Sequence, residues 1–99
     1  MELRVHPAAR REINDAFDWC EATFGKRLAD RFLQSVERAG QALLREPGLG
    51  TPAQKRLRTL PLRGLPYTLV YQWEETAIYV IALTHQSRRP RYWAGRLPD

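Results

Sequence analysis

Two apolar stripes of helical period, laid end to end and interrupted at Gly25, constrain this chain more than any other feature. Ile13, Ala16, Phe17, Cys20 and Phe24 recur at the spacing that places side chains on one face of a helix. Arg11, Glu12, Asp15, Asp18 and Glu21 fall off that stripe and read as a solvated polar face. Leu28, Phe32, Val36, Ala39 and Leu43 form the second stripe, which ends before Pro47-Gly48. A link this short, at a residue type that favours helix C-termini, predicts a tight antiparallel hairpin. Two amphipathic helices leave one shared apolar face, and another layer has to cover it.

The remaining sequence supplies that layer as strands. Leu3 and Val5 alternate with Glu2, Arg4 and His6, which predicts a short strand. Pro7 ends it and suits a first helical turn, so His6 reads as structural. Pro47 to Pro52 is loop by composition. From Leu57 the period changes: Leu57 to Leu62 reads as a strand with Pro61 near its end. Pro66 to Trp73 is rich in β-branched and aromatic residues, and Glu74-Glu75-Thr76 makes a polar turn. Ala77 to Thr84 is apolar on both faces, which predicts a central strand paired with the preceding run. The expected order is β-α-α-β-β-β, an α+β fold with a helical hairpin on a mainly antiparallel sheet. Residues 1–99 read as one domain, because neither half can cover its own apolar face.

Charge narrows the function. The net charge is +5, and its distribution is uneven. Met1 to Glu46 holds eight Lys/Arg and eight Asp/Glu, whereas Pro47 to Asp99 holds eight Lys/Arg against three acids. An excess confined to one half favours a polyanionic partner, either nucleic acid or an acidic protein segment. The apolar runs are too short to span a bilayer and Met1-Glu2-Leu3-Arg4 lacks an apolar leader, so the expected location is cytoplasmic. Cys20 is the only cysteine; it excludes an intrachain disulfide and multi-cysteine zinc motifs, and reads as a buried, inert thiol. No metal cluster, phosphate-binding glycine loop or Ser-His-Asp set is evident, and no cofactor is expected.

The stretch "HQSRRPRYW", His85 to Trp93, concentrates the candidate chemistry. A histidine titrates near neutrality and can transfer a proton. Arg88, Arg89 and Arg91 can grip phosphate, and Tyr92 or Trp93 can stack on a base. Arg63, with Lys55, Arg56 and Arg58, would join them if the strands are neighbours. The alternative is a solvated basic tail in which Trp93 closes the core.

Two long segments resemble the RelE/ParE toxin superfamily. "HPAARREINDAFDWCEATFGKRLADRFLQSVERA" is similar to its helical hairpin, and "RTLPLRGLPYTLVYQWEETAIYVIALTHQSRRPRYWAGR" to its sheet and tail. Pro66-Tyr67, Leu69-Val70-Tyr71 and His85-x-x-Arg88-Arg89-Pro90-x-Tyr92-Trp93 are the most specific pieces. The resemblance implies the toxin of a type II toxin–antitoxin module, also called a plasmid stabilisation protein. It implies a cognate antitoxin that wraps the toxin with an acidic, partly disordered segment. RelE-like members cleave mRNA on the ribosome; on that pattern Arg63, His85, Arg88 and Tyr92 would be catalytic. ParE-like members inhibit DNA gyrase without catalytic residues, and Arg58, Arg63, Arg88, Arg89, Arg91 and Trp93 would then serve binding. The long hairpin and the Leu65-Pro66-Tyr67 lead-in to the strand resemble the ParE-like branch, while Gln86 stands where RelE-like enzymes carry a further cation. Gyrase inhibition is the leading expectation, ribosome-dependent mRNA cleavage the alternative, and a non-toxic basic nucleic-acid-binding module the third.

Overall fold

In the computed structural model, which describes residues 1–54, 56–87 and 91–96, a helical hairpin lies on one face of a five-stranded sheet. The elements run β1 (Glu2–Val5), α1 (Pro7–Phe24), α2 (Lys26–Arg45), a 3-10 turn (Pro47–Leu49), β2 (Thr51–Pro52), β3 (Leu57–Pro61), β4 (Tyr67–Trp73), β5 (Ala77–His85) and a second 3-10 turn (Ala94–Arg96). The sheet order is β1-β5-β4-β3-β2. All pairings are antiparallel except β1 with β5, which lie parallel with Leu3 opposite Ile78. The expected α+β order is therefore present with one addition. The Pro47–Pro52 segment, expected as loop, forms a 3-10 turn and the two-residue edge strand β2. A strand this short, containing a proline, carries no periodicity from which it could be read.

Local chemistry sets the helix boundaries. The His6 Nδ1 accepts from the Ala8 backbone N–H at 3.0 Å and Pro7 supplies the first helical φ, so His6 is the structural residue expected. Gly25 alone joins the helices, at φ 95°, where a Cβ would be strained. Ala9, Ala16 and Ala29 are buried, and their small side chains let the helices approach each other and the sheet closely.

The core has two sides. Phe32, Leu69, Val80 and Leu83 pack beneath the helices. At the far end of α2, Leu43, Tyr71 and Ile78 form a closed cluster. There the Tyr71 hydroxyl donates to the Pro47 carbonyl at 2.7 Å and accepts from the Gly50 N–H at 2.9 Å. A Cβ on Gly50 would stand 2.8 Å from the Thr59 carbonyl oxygen, so only glycine fits this crossing. On the opposite face of the sheet, Leu57, Val70, Ile81 and Ala82 are covered by Trp93, which is 8% exposed.

β5 carries one irregularity that matters for the site. Val70 pairs with Ala82 but Tyr71 pairs with Val80, so Ile81 is an extra residue. This bulge shifts the alternation of the last four residues of β5.

Candidate partner-binding site

The two helical stripes continue past the sheet. Phe24 ends α1 and Leu28 lies in the first turn of α2; both belong to the apolar stripes, yet they are 57% and 41% exposed. Trp19, 58% exposed, meets Phe24 edge-on with ring centroids 5.6 Å apart. These side chains and Phe32 form one wall of a groove of about 620 Å³. The turn between β3 and β4 forms the other wall, through Leu65, Pro66 and Tyr67. An apolar concavity of this size is the default candidate for a binding site.

Three rings connect the wall to the sheet. Phe32 and Tyr67 are 5.4 Å apart, and Tyr67 meets His85 edge-on at 5.1 Å. Burial pushes the Tyr67 phenol above its usual range, and nearby Cys20 adds to that shift. Cys20 packs against the core but is only partly buried and lines the groove, where the sequence predicted a buried thiol. His85 Nδ1 accepts from the Ser87 N–H at 3.0 Å and lies 2.7 Å from the Ser87 hydroxyl. With Nδ1 accepting, the neutral ring carries its proton on Nε2. Arg31 and Arg63 also line the groove, which gives it a cationic rim.

The expected site residues do not form one cluster among the described residues. Arg63 and His85 line the groove. Arg58, near the other end of β3, donates to the Gly48 and Gly50 carbonyls and lies over the Trp73 ring at 5.4 Å. It thus secures the 47–50 segment. Arg91 is exposed at φ 61°, and Trp93 is buried as a core lid. Arg88 and Arg89 lie outside the described residues.

Tyr92 belongs to a second assembly that the sequence did not reveal. β5 extends beyond β1, whose last bond to it runs from His6 N–H to the Val80 carbonyl. Past that point three side chains replace a neighbouring strand. Glu12 Oε1 accepts from the Leu83 N–H at 3.2 Å, Tyr92 donates toward the Leu83 carbonyl at 3.3 Å, and Arg96 donates to the Ile81 carbonyl at 3.1 Å. The three also bind each other. Arg96 grips the Glu12 carboxylate with both terminal nitrogens, at 2.7 and 3.2 Å, and the Tyr92 hydroxyl donates to Glu12 Oε2. The hydrogen bond that Arg96 donates to Glu12 holds its guanidinium above its ordinary pKa, and the guanidinium lies 5.3 Å from the Tyr92 ring centre. Glu12, expected on the solvated face of α1, is therefore corrected: its side chain is 14% exposed and ion-paired. Its partner lies 84 residues away, so helical periodicity could not expose it.

Among the described residues no group of three or more His, Cys, Asp or Glu gathers to hold a metal, and no helix is long and apolar enough to cross a membrane.

Comparison with known proteins decides the family. The family model for the ParE toxin of type II toxin–antitoxin systems, parDE, matches residues 3–90. The chain belongs to the ParE toxin family. Among solved structures, the chromosomal ParDE toxin–antitoxin system from P. aeruginosa is similar at 19% identity, with a TM-score of 0.75. That likeness covers 86% of this chain and 95% of the other, and it establishes the shared fold. A comparison with curated proteins gives no match. Within the ParE family fold, the groove lies at the hairpin tip and the Glu12 assembly lies on the open edge of β5.

Proposed function

We propose that this chain is a growth-arresting cytoplasmic toxin that inhibits DNA gyrase by binding it, and that a cognate antitoxin silences it. The family match over residues 3–90 carries the reading. The antitoxin is proposed to lay an acidic segment with apolar anchors into the groove, its anchors meeting Trp19, Phe24 and Leu28 and its acids meeting Arg31 and Arg63. The exposed tip aromatics, the cationic rim and the net charge of +5 support this complementarity. Arg63 and the tail cations Arg88, Arg89 and Arg91 then serve contact rather than chemistry. The engagement of the Tyr92 hydroxyl by Glu12 supports a binding toxin over one in which that tyrosine is catalytic.

Supercoiling assays with purified toxin test the proposal. Inhibition of gyrase, relieved by the antitoxin encoded beside the toxin, is the expected result. Growth arrest with unaffected gyrase and new mRNA 5′ ends inside translated codons would replace it with the endoribonuclease reading.

A further inference from the structure

The C-terminal turn is attached to the rest of the fold in an unusual way. Apart from the apolar seat of Trp93, its described polar attachments converge on the edge of β5 and on one carboxylate. Glu12 receives donors from two directions: Leu83 N–H from the sheet, and Tyr92 and Arg96 from the tail. Removing its charge would leave the Arg96 guanidinium, 19% exposed, without its counter-ion. The tail also has its own internal bonds, Ala94 N–H to the Arg91 carbonyl and Arg96 N–H to the Trp93 carbonyl, both 3.0 Å.

We propose that residues 91–96 form a strap that opens and closes as one unit over the edge and outer face of β5, with Glu12 as its latch. Closed, the strap covers Leu57, Val70 and Ile81 through Trp93 and ends the sheet with side chains in place of a strand. Open, it exposes both that apolar face and the backbone groups of Ile81 and Leu83. The bulge at Ile81 makes this arrangement possible, because it sets the Ile81 carbonyl and both backbone groups of Leu83 toward the side that β1 has vacated. Hydrogen-bonded side chains can release such an edge without disturbing the ladder on its other side, where β5 pairs with β4.

Amide hydrogen exchange on the intact toxin tests the latch. Glu12→Gln keeps the shape of the side chain and removes its charge. In this variant the amides of Leu83, Ala94 and Arg96 should exchange together, about tenfold faster than in the parent, while Leu43 in α2 stays unchanged. Arg96→Met should produce the same pattern, and the double variant should add little to either. Acceleration of Leu83 alone would show that the strap does not depend on Glu12 and would overturn the proposal. So would equal acceleration at Leu43, or no change anywhere. Should Glu12→Gln fail to fold, Tyr92→Phe removes one donor while keeping both charges, and the same comparison applies.

Discussion

The two ends of the helical hairpin obey one sequence rule and meet different surroundings. At the closed end, Leu43 is fully buried against Tyr71 and Ile78, and the Tyr71 hydroxyl ties down the chain leaving α2. At the tip, Phe24 and Leu28 continue the same apolar stripes and stand more than one-third exposed. The closed end has a sheet and a loop to pack against. The tip reaches the turn between β3 and β4, which stands off far enough to leave a groove. An apolar stripe thus states what a helix seeks to bury; whether its own chain provides the cover is decided by elements elsewhere. Where it does not, apolar surface stays exposed.

The sharpest way to break this contrast is to truncate one residue at each end. Leu43→Ala should cost about 2–5 kcal/mol of stability, because the cluster around it is closed and collapses only in part. Urea denaturation measures it, and a loss below the range would mean that this end is looser than its packing implies. Phe24→Ser should change stability by no more than about 0.5 kcal/mol, since the ring is already exposed. It should nevertheless weaken antitoxin binding by about tenfold, as loss of an anchor of about 1.4 kcal/mol does. Titration calorimetry against the purified antitoxin reads this, and unchanged affinity would remove the tip from the interface.

The smallest effect sharpens the comparison within the groove. The Tyr67 phenol is raised above its ordinary value of 10.0 by burial, so above pH 10 the folded chain keeps a proton that the unfolded chain has released. Its contribution is present in full below pH 10 and is lost as pH rises through the folded value. Tyr67→Phe should flatten the alkaline fall in stability; an identical slope in both proteins would mean that the groove wall is wet.

Much of the fold was legible from local signals. Two helical stripes, Gly25 and the apolar run that became β5 all reflect periodicities that neighbouring residues express together. The site was less legible, for reasons that differ by residue. Arg63 and His85 were singled out, and both line the groove, but their meeting with Trp19 and Phe24 depends on how far the hairpin extends beyond the sheet. Arg58 looked like a free cation and instead binds backbone carbonyls contributed by a loop. Glu12 looked like an ordinary surface acid because the Arg96 that neutralises it lies 84 residues away in the sequence. Long-range pairing of a charged side chain leaves no mark on the sequence around it.

The parallel pairing of β1 with β5 also governs the order of events as the chain is made. Leu3 finds Ile78 only after the helices and three further strands have been made, and Glu12 finds Arg96 later still. The hairpin can wind early from local contacts, but its first strand has no neighbour until β5 arrives, and the edge of β5 is finished last. A stalled or truncated nascent chain therefore holds the helices without the sheet that defines the groove. That ordering delays the groove until the turn between β3 and β4 and the end of β5 have been made.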